Sequence, residues 1–372
     1  MSKRHSIIGK SLMDEATINQ FLDCLNWEHA VMGAMMPDGH LGYTMPIGGV
    51  IGTEAHLVPS WVGYDIGCGV IGVKTTYDWE EVKNYGKEIF DNIRRAIPMG
   101  FKHRTHAEIW HSYKYFPKTD WFDAMFKEKK GLRQIGTLGG GNHFIEIGVS
   151  DLDQAVWIIV HSGSRGVGHA TATHYIKKAH PEGKCKEGTY GFEQTTREGR
   201  DYYTDMNFCL RFALWNRRRL IDEVNACIYE SLGIGKMITE SVINSNHNLV
   251  SFNDKLQLWL HRKGATIASK DTMGIIPANM RDGSFVVRGL GNMHSLYSCS
   301  HGAGRVMSRK KAKESISVEK FKSDMSGIIS NREEHILDEA PDAYKSISLV
   351  MQAQEESVEV VEYIKPIINV KA

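Results

Sequence analysis

Glycine placement constrains this chain more than any other feature of its sequence. Of 372 residues, 36 are Gly, about 10% against a usual ~7%. Residues 39–52, 63–72, 131–148, 163–168 and 283–304 together hold 23 of those glycines in 70 positions. Glycine adopts positive φ at little cost and lets backbone approach a ligand closely. Five such windows, rather than one, predict a site assembled from many loops.

The rest of the composition is that of an ordinary globular chain, with 42% hydrophobic and 24% charged residues. The net charge of +1 excludes a wholesale basic nucleic-acid coat and an acidic tail protein. No run offers about 18 consecutive apolar residues, and the first ten residues lack the apolar stretch of a signal peptide. The six cysteines (Cys24, Cys68, Cys185, Cys209, Cys227, Cys299) have no framework spacing, which predicts a reduced, cytoplasmic chain. Helices are expected over 79–97, capped by Asp78, over 204–232, stopped by Gly233, over 318–330, capped by Ser317, and over 342–362. Strands are expected over 70–76, 156–160, 256–260 and 284–288. They neither alternate with helices nor carry an early G-x-G-x-x-G. The expectation is therefore α+β with strands spread along the chain, and one domain over 1–372 despite a length that would also suit two.

Four segments carry residues with ligand chemistry. Asp65 and Cys68 place a carboxylate and a thiol three residues apart between glycines, and a thiolate can bridge two cations. His143 follows three glycines, His161 ends an apolar strand, and His247 lies between two asparagines. Taken singly, the Asp65–Cys68 segment reads equally as a turn with an inert buried thiol, and each histidine reads more readily as a hydrogen-bonded structural residue. Together they make five donors, too many for one closed tetrahedral site and suited to two ions sharing a ligand. Donor softness alone suggests zinc.

A further segment, 300–305 (SHGAGR), reads as a phosphate-handling loop. Its glycines let backbone amides approach an anion, Arg305 offers a planar fork, and His301 is placed to attack phosphorus. On its own it is also a glycine-rich turn with a surface histidine. Basic clusters at 102–104, 127–130, 217–219 and 309–311 are informative only if they rim one cleft.

These segments together resemble the RtcB family of GTP-dependent RNA ligases. The matching pieces are 36–43 (MPDGHLGY), 46–49 (PIGG), 63–70 (GYDIGCGV), 136–146 (GTLGGGNHFIE), 161–166 (HSGSRG), 247–248, 261–266 (HRKGAT), 300–305 and the tail 370–372. They run in family order over nearly the whole chain. The resemblance implies central β-sheets flanked by helices, with a loop-built active-site cleft. It implies that Asp65, Cys68, His143, His161 and His247 hold two manganese ions with Cys68 shared, which moves the metal from zinc to manganese. It implies that His301 becomes guanylylated. Asn142, Glu146, Asn248, Lys371 and, less directly, Tyr344 match nucleotide-binding positions, and Asp38 and Arg165 match positions linked with the RNA ends.

The reaction so implied starts with attack of His301 on the α-phosphorus of GTP. The guanylyl group passes to an RNA 3′-phosphate, opened first by water if cyclic. The 5′-hydroxyl of a second RNA then displaces GMP. Glu146 suits guanine because a carboxylate can accept both its N1 and N2 protons. RNA repair and tRNA splicing are both open as the physiological setting. An RNA-end phosphoesterase without sealing activity would need the metal ligands but not His301, and a non-catalytic RNA-binding module would need neither. One departure stands out: residues 277–281 read PANMR where members commonly read Pro-Gly-Ser-Met-Gly. Arg281 is expected to add bulk and charge near the nucleotide.

Overall fold

The computed structural model describes residues 3–184, 188–233, 235–238 and 241–372; Cys185 lies outside them. Two sheets carry the fold. A five-stranded sheet has the order Arg4–Ile7, Ala30–His40, Ile47–Thr53, Leu258–Lys263 and Asn248–Asn253. An eight-stranded sheet runs Met273–Pro277, Ser284–Gly289, Val358–Val370, Phe144–Ser150, Val156–Ser162, Gly69–Lys74 and Ile243–Asn246, with Ile329–Ser330 pairing beside Val358–Val370. Most pairs are antiparallel, yet neighbours come from opposite ends of the chain. This is the α+β arrangement expected from the sequence.

Each expected strand forms, with shifted ends: Gly69–Lys74, Val156–Ser162, Leu258–Lys263 and Ser284–Gly289. The helices deviate more. Asp78 accepts a hydrogen bond from the Glu81 amide as a cap, but its helix ends at Asn84 and a second one runs Gly86–Ala96. The break falls where Gly86 meets the Ile329 side chain so closely that an added Cβ would lie 2.4 Å from it. Ser317 caps only Val318–Asp324, because the chain turns at Gly327 with φ +82°. The helix expected over 342–362 is corrected to a short Ile347–Ala353 helix and the long Val358–Val370 strand. That strand is rich in β-branched residues, which favour a pleated surface. Its Pro366, which lacks an N–H, sits at the register shift against Phe144–Ser150, where a ladder bond is not required.

The longest helix, Arg197–Leu232, starts seven residues earlier than expected, capped by Thr196 and ended by Gly233 at φ +70°. Its two halves enter different cores. Tyr202, Met206, Phe208 and Phe212 pack with Phe122, Phe126 and Tyr175, whereas Leu220, Val224 and Ile228 pack against Ile71, Ile145 and Ile158 of the large sheet. Between the halves lie Asn216 and Arg217, both with no exposure. Arg217 donates to the carbonyls of Gly67 (2.8 Å) and Ser162 (2.9 Å) and to the side chains of Asn244 (2.9 Å) and Asn246 (2.5 Å). Asn216 bridges Thr137, Ser162 and Gly163. The 217–219 cluster is thus not a solvated face, since its first member is an internal brace. Burial lowers the Arg217 guanidinium to about 10, so it stays charged at neutral pH.

Arg217→Ala strands two buried carbonyls, each costing about 1–3 kcal/mol when unsatisfied, and two partly buried side-chain oxygens. We expect urea unfolding to show a loss on the order of 3–5 kcal/mol. A loss under about 1 kcal/mol would show that water replaces the guanidinium.

Candidate active site

Four neighbouring strands of the large sheet end at one edge, and each delivers a donor there. His143 precedes Phe144–Ser150, His161 closes Val156–Ser162, Cys68 precedes Gly69–Lys74 and His247 follows Ile243–Asn246. The register places Phe144 opposite His161, and Gly69 opposite both Ser162 and Asn246. Because antiparallel neighbours alternate in direction, strand starts and strand ends meet at the same place. Asp65 enters from the preceding loop. A Cβ on Gly163 would sit 2.2 Å from its carboxylate, so only glycine lets that loop close.

The five donors form two groups with one member in common: Asp65, Cys68 and His143, and Cys68, His161 and His247. Cys68 Sγ lies 3.4 Å from His143 Nε2 and 3.3 Å from His161 Nε2. His143 Nε2 lies 3.0 Å from Asp65 Oδ2, and His161 Nε2 lies 3.4 Å from His247 Nε2. Carbonyl oxygens can only accept, so Leu138 O at 2.9 Å from His143 Nδ1 and Asn142 O at 3.1 Å from His161 Nδ1 fix the proton there. Each Nε2 is left with its lone pair facing the cluster, the tautomer a metal ligand needs. Burial, then neighbouring imidazoles, hold His161 and His247 well below the ordinary histidine range. Burial, with Asp65 adding to it, pushes the Cys68 thiol well up. Neutral imidazoles, a carboxylate and a central thiol are a donor set that could hold a metal cofactor, with Cys68 common to both groups.

His301 approaches the second group. It follows the Ser298–Ser300 strand, which pairs with Ala265–Ile267, and its ring centroid lies 4.8 Å from that of His247. Asp38 stands behind it. Its Oδ2 accepts from the His301 amide at 3.1 Å and lies 2.6 Å from His301 Nδ1. Asp38 was expected at the RNA ends, but it has no exposure, so in this structure it touches His301 instead of solvent. Burial raises the Asp38 carboxyl, and His301 more than offsets this, leaving it below the usual range. Lys345 secures the same bend through the carbonyls of Pro37 (3.0 Å) and Gly39 (2.6 Å). Gly304, at φ +74°, is required because a Cβ would lie 2.1 Å from Asp38 O.

A cleft of about 850 Å³ opens over His301 and His161, the size of a small-molecule site. Of the expected nucleotide contacts, Asn142, Arg305, Tyr344 and Lys371 line it. Glu146 and Asn248 do not. Asn248 spends its amide on Asp65 O and the Gly264 amide, clamping two loops. Glu146 is 1% exposed and pairs across the sheet with Asn369, which does line the cleft. Its Oε1 has no hydrogen-bond partner among the described residues, and burial pushes its carboxyl up to about 8. Arg165 lies on the far side of the donors, near Asp65. It holds Gly100 O (2.6 Å) and Thr137 Oγ1 (3.2 Å) from a backbone position of φ +56°, uncommon for a branched-free but bulky residue outside glycine. Arg281 does not line the cleft: its guanidinium engages Asp282 at 2.7 and 3.0 Å. Of residues 277–281, Pro277, Ala278, Asn279 and Met280 line the cleft.

Glu339 escapes the sequence reading. It is 2% exposed and gathers Lys371, Tyr344 Oη (2.6 Å), Arg305 (3.4 Å) and Arg309 (3.3 Å) at one corner of the cleft. Against the upward push of burial, Lys371 and Arg309 hold its carboxyl down to about 2. Arg309 belongs to the 309–311 cluster, so that cluster does rim the cleft. Nothing in the local sequence marks Glu339, because its partners come from residues 305, 309, 344 and 371.

Cation binding at neutral pH must displace the Cys68 proton. Affinity for manganese or zinc should therefore rise about tenfold per pH unit between pH 6 and 8, with roughly one proton released. Calorimetry in two buffers of different ionisation enthalpy measures this, and a pH-independent affinity would contradict it. Cys68→Ala should remove binding at both groups, and His247→Ala at one.

Residues 23–372 match the family model described as tRNA-splicing ligase RtcB. The RNA-splicing ligase RtcB of Escherichia coli (strain K12) is 34% identical, over 91% of this chain and 89% of that protein. The tRNA-splicing ligase RtcB of Pyrobaculum aerophilum is 30% identical, over 94% and 89%. That of Thermococcus kodakarensis is 28% identical, over 95% and 92%. With a family match across nearly its full length and the donor-bearing strand ends converging at one sheet edge beside the cleft, the chain belongs to the RtcB family of RNA ligases.

Proposed function

We propose that this enzyme joins an RNA 3′-phosphate or 2′,3′-cyclic phosphate to a 5′-hydroxyl, using GTP and two manganese ions through a guanylylated His301. The observation that carries this reading is the His301–Asp38 pair, with His301 lining a cleft beside His161 and its ring 4.8 Å from that of His247. A buried carboxylate on Nδ1 keeps the proton there and directs the Nε2 lone pair outward, the arrangement an imidazole nucleophile needs.

His301 Nε2 forms a bond to the α-phosphorus of GTP as the bond to the β-phosphate oxygen breaks and pyrophosphate leaves. As positive charge develops on the ring, Asp38 stabilises it through Nδ1–H. An oxygen of the RNA 3′-phosphate then takes the guanylyl group and frees His301. The 5′-hydroxyl of the other strand attacks the activated phosphorus, and GMP departs. Divalent cations held by Asp65, Cys68 and His143, and by Cys68, His161 and His247, would balance phosphate charge. Arg305, Arg309 and Lys371, already gathered by Glu339, present a cationic corner for the polyphosphate, and Tyr344 and Asn142 line its approach. Glu146 lies behind the wall formed with Asn369, and would reach guanine only if that wall shifts. Asn248 and Arg165 act by shaping the loops on either side. Residues 1–372 are read as one ligase domain. No helix among the described residues is long and apolar enough to cross a membrane, and the free cysteines at 24, 68, 209, 227 and 299 suit a cytoplasmic setting.

Incubation with α-labelled GTP and manganese should label the protein, and His301→Ala should abolish the label. Label that survives this substitution would refute the assignment. Asp38→Asn keeps the shape but removes the charge behind the ring, and should slow labelling roughly 10²-fold. Release of ends without sealing, under the same conditions, would favour the phosphoesterase.

A further inference from the structure

Two basic clusters lie outside the cleft, at 102–104 and 127–130. Their members do different things. Arg104 is consumed internally, donating to Ile135 O (3.2 Å), Gly136 O (3.0 Å) and Glu223 (3.2 Å). It anchors a loop whose next residues face outward. Among the described residues, Lys102 and Lys130 are exposed and form no ion pair, and His103 is exposed beside them. Burial, then the charges of Arg165 and Lys130, act on His103, which places these groups together. At the tip stands Phe101, 102% exposed and touching no other ring among the described residues. A phenyl ring wholly in water has no role in the core.

The backbone ties this tip to the active site. Gly100 donates to Gly139 O at 2.9 Å and accepts from Arg165 at 2.6 Å. A Cβ on Gly140 would lie 3.7 Å from Gly100 Cα, and one on Gly141 would lie 2.8 Å from Arg309 of the cleft. The Gly139–Gly141 loop therefore separates the cleft from the Phe101 tip by little more than its own width. The two donor groups also have distinct sides. His247 faces His301, whereas His143 and Asp65 face Arg165; a Cβ on Gly139 would meet both Arg165 (2.2 Å) and His143 (2.5 Å).

We propose that Phe101, with Lys102, His103 and Lys130, forms a stacking platform for the single-stranded RNA that bears the 5′-hydroxyl. The assignment to that strand rests on the ligase reading: the guanylylated 3′-phosphate occupies the His301 side, so the second strand arrives from the Arg165 side. An exposed ring flanked by unpaired cations matches what single-stranded nucleic acid offers, a π-face and phosphates at alternating intervals. This surface recognises a strand by stacking and charge, not by base identity.

The test uses the full chain and a short 5′-hydroxyl oligoribonucleotide carrying 2-aminopurine near its 5′ end, without GTP. Binding should quench the probe. Phe101→Ala should weaken binding roughly 5- to 150-fold and abolish the quench, and Phe101→Trp should retain both. The double variant Lys102→Ala/Lys130→Ala should reduce the salt dependence of log K by about 1.4. Because Phe101 is fully exposed, thermal melting should be unchanged. Wild-type binding by Phe101→Ala would overturn the platform, and quenching of a probe at the 3′ end instead would overturn the strand assignment. Sealing by the wild-type enzyme is scored separately. Failure to seal, with Phe101→Ala still binding weakly, would refute the ligase reading and leave the platform standing.

Discussion

The guanidinium of Arg217 sits where the loops bearing Cys68, His161 and His247 meet, and it bonds the residue next to each of them. A charge in that position is costly unless its donors are satisfied, and the partners that satisfy it are the chain segments that must converge. Removing any one loop would leave both a buried cation and its neighbours short of hydrogen bonds. The long helix can carry this group because its apolar faces are anchored in two separate cores above and below. The rigidity of the donor cluster thus comes from behind it, not from the donors themselves.

On the open side the logic is reversed. Asp38 is buried so that His301 need not be: the carboxylate takes the Nδ1 side and the backbone amide, leaving one nitrogen to the cleft. Glu339 does the same for cations, holding Lys371, Arg305 and Arg309 at one corner of the cleft. Its carboxyl stays ionised at about 2 despite burial because three positive groups face it. A net charge of +1 is compatible with an RNA enzyme because such an enzyme grips ends at local charges and does not neutralise a long backbone.

Much of the site is legible before folding is considered. The Asp65–Cys68 loop, the three histidines and the His301 segment each carry chemistry in their residue types, and the structure brings all of them to one edge. The strand at 156–162 is legible because its apolar run is short and β-branched. The 342–362 helix is not, because the mixed pattern there conceals a long strand whose pairing partners lie at 144–150 and 284–289. Asn248, Glu146 and Arg281 have side chains suited to a ligand, yet each is turned to a neighbour: a loop clamp, a sheet interior and Asp282.

By itself the sequence determined which groups exist and where clustered glycines give the backbone freedom to turn. Residue chemistry and conformational freedom are local properties, readable without knowing what lies nearby. Tertiary structure alone decided that Asp38 serves His301, that Arg217 is a brace and that Glu339 organises the cationic corner. Those roles depend on distance and burial between residues far apart in the chain, and a side chain's charge and hydrogen bonding take their meaning from whatever the fold places within a few ångströms of it.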